Sequence, residues 1–234
     1  MLDLAIRRRG ASFLAACVLA AFLGGCGGGS VASSTDNPDP DDDDTPPPNV
    51  TVMPSQDVYV DQSAPSTNFN TNMASCAQCR LSLKVMPSNP GQCWTYIKYD
   101  VRSALPVAQG RTITIVDANL HIQYLGGVIP STDDDVTFSA YTCAQPWAEG
   151  AITWNKRVAY GSRIGSVLVK GTRFDCYLPI SAATVQSWVD AAPTNYGLVL
   201  IGSGGIYTDS CKTMPSREYN PKGITLDINY TFTD

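Results

Sequence analysis

Residues 224–232 alternate without a break: Ile224, Leu226, Ile228, Tyr230 and Phe232 point one way, and Thr225, Asp227, Asn229 and Thr231 point the other. A period of two is the mark of a strand with one face buried and one face wet. That pattern belongs to antiparallel sheets; strands of parallel sheets are apolar on both faces. The alternation recurs along the chain. Residues 57–61 read Asp-Val-Tyr-Val-Asp, and Val136, Phe138 and Ala140 alternate in the same way. In residues 113–124, Ala118, Leu120, Ile122 and Tyr124 oppose Asn119, His121 and Gln123. Residues 80–86 and 93–99 flank Pro87-Ser88-Asn89-Pro90-Gly91, a hairpin signal, and residues 198–201 are a short apolar run. Many short strands parted by Gly, Pro and Asn turns predict an all-β fold, an antiparallel β-sandwich of the jelly-roll kind. One short helix interrupts. Ser181 is placed to cap it near Thr184, Val185, Trp188 and Val189 form its apolar stripe, and Pro193 lies beyond its end.

The N-terminal quarter has another character. Arg7, Arg8 and Arg9 precede an apolar run over residues 13–23, which ends in Leu23-Gly24-Gly25-Cys26. This is signal-peptide form, and the run is shorter than the roughly 20 residues a membrane span needs. Its end resembles the lipobox of bacterial lipoproteins, in which the cysteine is acylated before cleavage. The resemblance implies a signal over residues 1–25, lipid on Cys26 and a place at the cell envelope or surface. Gly27 after the cysteine points to the outer membrane in a Gram-negative cell. Residues 26–55, rich in Gly, Ser, Asp and Pro, have too little apolar surface to offset the entropy of ordering and read as a tether. Residues 56–234 are then one domain, large enough for a real core.

The net charge of −5 sits mostly in that tether, where Asp36, Asp39 and Asp41–Asp44 cluster. The domain itself carries about −1, with no bulk basic field for nucleic acid. It holds six cysteines, Cys76, Cys79, Cys93, Cys143, Cys176 and Cys211. An even count in an exported chain favours structural disulfides, in a pairing that spacing alone does not choose. Cys76-Ala77-Gln78-Cys79 lacks the second cluster of a zinc site, the following His of a haem site and the following helix of a redox pair.

Several fragments resemble the DNRLRE domains, also called carbohydrate-binding module family 96. Asp57-Val58-Tyr59-Val60 followed by Asn68-Phe69-Asn70 resembles their opening. Tyr96-Ile97-Lys98-Tyr99-Asp100-Val101 with Leu105-Pro106, then Asp117-Ala118-Asn119-Leu120, resemble two of their strands. Trp147-Ala148-Glu149-Gly150-Ala151-Ile152-Thr153-Trp154-Asn155 is similar to their Trp-x-Glu-x-x-Val-Thr-Trp-Asn. Val185-Gln186-Ser187-Trp188, Asn195-Tyr196-Gly197-Leu198, Ser216-Arg217-Glu218, Pro221 and residues 226–230 complete the ordered set. Two departures stand out: Asn70 replaces the usual Gly, and the cysteines are not part of the pattern. The resemblance implies a β-jelly-roll of secreted and surface proteins that binds polysaccharide, including acidic polysaccharide such as alginate, usually beside a separate catalytic domain. With no such domain in this sequence, targeting of an enzyme in cis is not expected.

The residues offer little for catalysis. His121 is the one histidine and lies on the wet side of its strand. No carboxylate pair has the look of an acid and a base: Asp133, Asp134 and Asp135 read as a turn, and Glu149 as a turn hydrogen-bonder. No enzyme and no cofactor are therefore expected. A structural calcium between loops is one option, with Asp57, Asp61, Asp133, Asp134 or Asp135 as ligands. Sugar binding asks for other parts: flat aromatic rings for C–H faces, and Arg or Lys for uronate carboxylates. Trp147, Trp154 and Trp188 read as core. Trp94, Tyr160, Tyr207 and Tyr219 are less obviously so. Lys156, Arg157, Arg163, Lys170 and Arg173, around Tyr160, are the one basic-rich stretch. The candidate contacts are thus Trp94, Tyr160, Lys156, Arg157, Arg163, Lys170 and Arg173. The preferred reading is a non-catalytic, lipid-anchored module whose partners are an acidic polysaccharide and, through its lipid, a membrane. A structural or adhesive module binding protein is the alternative, and a polysaccharide-degrading enzyme a further one.

Overall fold

The expected alternation becomes two stacked antiparallel sheets. The structure, a computed structural model, describes residues 49–70, 82–87, 91–123, 134–172, 175–205 and 210–234. Cys26, Cys76, Cys79, Asp133, Arg173 and Tyr207 lie outside the described residues. The strands are β1 (Asn49–Val52), β2 (Pro54–Asp61), β3 (Ser82–Val85), β4 (Cys93–Tyr99), β5 (Thr112–Gln123), β6 (Val136–Cys143), β7 (Tyr160–Val169), β8 (Asp175–Ile180), β9 (Leu198–Gly204), β10 (Lys212–Pro215) and β11 (Ile224–Thr233). A four-stranded sheet runs β1-β11-β5-β8, a five-stranded sheet runs β2-β4-β9-β6-β7, and β10 pairs with β3 apart from both. One face of each large sheet is buried against the other. Leu120, Ile122, Leu178, Leu226 and Ile228 meet Ile97, Tyr99, Phe138, Leu198 and Leu200 in one continuous apolar cluster.

Helix α1 (Val101–Ala104) is a single turn, and α2 (Ala182–Asp190) is the helix expected from its stripe. Ser181 Oγ accepts from the Thr184 N–H at 3.4 Å, and Val185, Trp188 and Val189 are buried. Gln186 ties α2 to the start of β5: its Oε1 accepts the Ile115 N–H at 2.8 Å and its Nε2 donates to the Ile113 carbonyl at 3.1 Å. An unpaired buried backbone group costs about 1–3 kcal/mol, so Gln186→Ala is expected to lower the melting temperature by about 2–12 °C in a thermal melt.

Four features depart from the sequence pattern. Strand β1 lies within the stretch expected to be tether; Val50 and Val52 alternate there, but the prolines at 48 and 54 bracket the signal and shorten it. The hairpin expected around residues 87–91 closes only through the Met86–Cys93 bridge, after which β3 leaves β4 to pair with β10. Strand β5 changes parity. Ile113 and Ile115 face inward, then Ala118, Leu120 and Ile122 do, because the register with β11 slips between Asn229 and Tyr230 and Val116 is pushed out. This is a β-bulge, which an unbroken alternation in β11 cannot announce.

The disulfide framework is the fourth departure. No disulfide joins any two of Cys93, Cys143, Cys176 and Cys211. Cys93 packs with Tyr59, Cys143 with Trp147 and Tyr96, and Cys176 against the inter-sheet cluster, so three of them belong to separate apolar groups. An even count of cysteines does not reveal that Cys93, Cys143 and Cys176 are set in different clusters. Burial disfavours the thiolate form, pushing Cys143 up to about 12 and Cys176 up to about 11.

Candidate functional site

The outer face of the five-stranded sheet is not polar. Val58 and Val60 of β2, Trp94 and Tyr96 of β4, Tyr141 and Cys143 of β6, and Val199 and Ile201 of β9 make it an apolar surface. The segment after β6 folds back over it. Trp147, Ile152 and Trp154 are buried there, as the sequence predicts for the two tryptophans, and form a second core. Polar groups fix the segment in place. Trp147 Nε1–H donates to the Tyr196 carbonyl at 2.7 Å, and the Tyr96 hydroxyl donates to the Val158 carbonyl at 3.1 Å. Asn68 Nδ2 donates to the Glu149 and Ile152 carbonyls at 2.8 and 2.7 Å. Thr153 Oγ1 caps the turn over Trp154–Lys156 by accepting the Lys156 N–H at 3.2 Å.

This turn sets Arg157 at the rim. Its Nη1 donates to the Trp154 carbonyl at 2.7 Å, and its guanidinium lies 4.3 Å from the Trp154 ring centre and 5.1 Å from that of Trp94. Trp94 is tilted against Trp154 at 5.0 Å and meets Tyr160 edge-on at 5.6 Å, and Tyr160 touches Tyr141 at 4.8 Å. Tyr160 remains 46% exposed. Trp94, Arg157, Val158, Ala159 and Tyr160 line an open depression of about 500 Å³. The arrangement can do two things. Exposed aromatic edges and faces offer flat apolar surface. A guanidinium held by stacking keeps its remaining N–H donors in a fixed fork, matched to a carboxylate.

Three sequence-derived candidates, Trp94, Arg157 and Tyr160, therefore converge. Lys156 is exposed in the turn beside them. Arg163 lies opposite Tyr141 in the β6–β7 register, and directly opposed residues share a face. Lys170 is not part of the site: it follows the far end of β7 from Tyr160, about 33 Å away along an extended strand.

The expected calcium residues do not assemble as foreseen. Asp57 and Asp61 lie four residues apart along β2, about 13 Å on an extended strand. Asp61 Oδ1 instead accepts from the Ser63 N–H and hydroxyl at 2.7 and 2.6 Å. Asp134 Oδ2 accepts from Ser210 Oγ at 2.6 Å, and Asp135 is exposed. Asp57 joins Glu149 and Glu218, two residues the sequence reading did not assign to a common group. Its Oδ2 accepts the Arg217 N–H at 2.8 Å, while Glu149 Oε1 accepts the Asp57 N–H at 2.8 Å. Arg217 Nη2 lies 2.7 Å from Glu149 Oε2 and 3.0 Å from Glu218 Oε1. Burial pushes the Asp57 carboxyl up to about 8, against the pull of the Arg217 N–H.

A second surface lies on the outer face of the four-stranded sheet. His121 Nε2 is 2.6 Å from Asp175 Oδ1, its Nδ1 is 3.9 Å from Asp227 Oδ2, and its ring stacks on the exposed Tyr177 at 4.2 Å. His121 is thus on the expected face but sandwiched rather than free in solvent. A nucleophilic triad needs a hydroxyl or thiol on the imidazole. Among the described residues its ring nitrogens meet carboxylates.

The sequence model of the family described as carbohydrate-binding module family 96 matches residues 48–229. No curated protein matches the chain.

Proposed function

This chain belongs to carbohydrate-binding module family 96, and from that premise we propose that it holds acidic polysaccharide at the bacterial cell surface without cleaving it. The observation that supports an acidic ligand is Arg157, stacked on Trp94 and Trp154 beside the exposed Tyr160. A sugar ring lies on the aromatic surface while a uronate carboxylate takes the guanidinium fork. The His121 surface suits such a ligand less well, because Asp175 and Asp227 sit there against the single cation Lys222 among its lining residues. The signal-like start and Cys26 support a lipid anchor, with the Gly/Asp/Pro-rich segment as the leash to the membrane.

Two experiments test this reading. In native gels cast with alginate, pectin or neutral glucan, the protein is expected to be retarded by the uronate polymers and not by the glucan, with retardation weakening as salt screens the guanidinium. Equal migration in all gels would count against it, and release of unsaturated or reducing ends would replace binding by hydrolysis or elimination. For the anchor, the full chain expressed in a bacterial host should incorporate labelled fatty acid and pellet with membranes. Cys26→Ala should lose both properties; unchanged fractionation of that variant would exclude the lipid.

A further inference from the structure

We infer that Asp57, Glu149 and Glu218 form a calcium site that clamps the segment bearing the aromatic depression onto the sheet. Each of the three carboxylates offers an oxygen, and these oxygens lie within 4.8 Å of one another. Calcium holds oxygen ligands at about 2.3–2.6 Å, so ligands across one ion stand about 4.6–5.2 Å apart, which fits the group. The donors are all carboxylate oxygens, a set that suits a hard cation better than zinc or copper, which favour nitrogen and sulfur ligands. They come from a strand and two separate turns, a less regular frame than the near-ideal octahedron magnesium demands.

A second observation points to an ion independently of the acidic cluster. Asp57 is 2% exposed, and its Oδ1 is buried without a hydrogen-bond partner. The nearest cationic atom to that oxygen is Arg217 Nε at 3.9 Å, beyond hydrogen-bond reach. A buried carboxylate oxygen left bare is costly, whereas Asp57 Oδ2, both Glu149 oxygens and Glu218 Oε1 are engaged by Arg217 or backbone N–H groups. The charges agree once all three groups are ionised, the form a cation would bind. Three carboxylates and one guanidinium then leave two negative charges uncompensated, the amount one divalent cation neutralises. Glu218 is exposed, so the group opens to solvent on that side. Glu149 belongs to the same segment as Trp147 and Trp154, and Asp57 to β2 beneath it. An ion here fastens the segment to the sheet directly.

The inference stands apart from the glycan reading, and its test contains no glycan. The protein, stripped with a chelator and exchanged into metal-free buffer, is titrated with CaCl2 and, separately, with MgCl2. Calorimetry is expected to show one calcium site with a dissociation constant of about 10⁻⁴–10⁻³ M, the range of extracellular modules. At about 10 mM CaCl2 the melting temperature should rise by about 3–11 °C, and less with MgCl2. Asp57→Asn should abolish both the heat and the shift. Glu218→Gln, which alters an exposed residue and leaves the fold intact, should weaken binding about tenfold. Arg217→Gln removes the competing cation and should tighten it about tenfold. Absence of heat and of any shift with wild-type protein at 10 mM calcium overturns the inference, as does undiminished calcium binding by Glu218→Gln together with Asp57→Asn.

Discussion

Tyr160→Ala combined with Arg157→Gln is expected to remove retention in alginate or pectin gels. Exposed Tyr and Arg anchors at the centre of a binding surface are each worth about 2 kcal/mol, or about 30-fold in affinity, though such contributions do not add simply. The pair should therefore lose at least about 100-fold. Both side chains are exposed at the rim, so the melting temperature should move little. Lys170→Ala is the matched control. It removes a charge from the same chain segment but beyond the far end of β7, and it should leave retention unchanged. Trp94→Ala is a poorer test, because Trp94 also packs on Trp154 and its loss disturbs the second core. Undiminished retention of the double variant would place the ligand elsewhere.

Gly197→Val is expected to cause the largest loss of stability. Gly197 has φ +82°, where a β-branched residue is strongly disfavoured, and a Cβ on it would stand 2.3 Å from the Ile97 carbonyl oxygen. The obstacle is backbone of β4, so no side chain can swing aside. The turn it occupies is also heavily used. Asn195 Oδ1 accepts the Gly197 N–H at 3.0 Å, Asn195 Nδ2 donates to the Tyr99 carbonyl at 2.8 Å, and the Gly197 carbonyl accepts the Cys143 N–H at 3.0 Å. These bonds start β9 between β4 and β6. Strain and lost pairing together are expected to cost at least about 3 kcal/mol, a fall of about 6–12 °C in melting temperature by circular dichroism. A melt within 2 °C of wild type would show that the turn relaxes in a way this geometry does not allow.

The parts of the fold legible in the sequence were those whose periodicity is long. Strand β11 and the second half of β5 follow directly from their alternation, and α2 from its cap and stripe. Strands β7, β8 and β10 are short of apolar residues on one side, because β7 and β8 lie at sheet edges and β10 pairs only with β3. Gly165 in β7 shows why pattern fails there. A Cβ on it would lie 2.0 Å from the Pro179 carbonyl oxygen, so this strand is shaped by close approach to β8 rather than by side-chain alternation. The β5 bulge is likewise a property of the pair with β11, invisible in either strand alone.

The site was legible in part for the same reason. Arg157 and Tyr160 are close in sequence and share a basic, aromatic stretch, so composition finds them. Trp94 reaches them only through the β4–β9–β6–β7 order of the sheet. The Asp57, Glu149 and Glu218 group joins three distant segments, so no local spacing announces it. The even count of cysteines suggested bridges but carried no distance, and no bridge joins any two of Cys93, Cys143, Cys176 and Cys211.

The direct measurement of the central claim is chemical-shift mapping by NMR with a purified uronate oligosaccharide. The perturbed signals are expected to cluster on Trp94, Arg157, Val158 and Tyr160, including the Trp94 indole and the Arg157 side chain, and to fade at high salt. Perturbations confined to His121 and Tyr177, or none at saturating oligosaccharide, would contradict it.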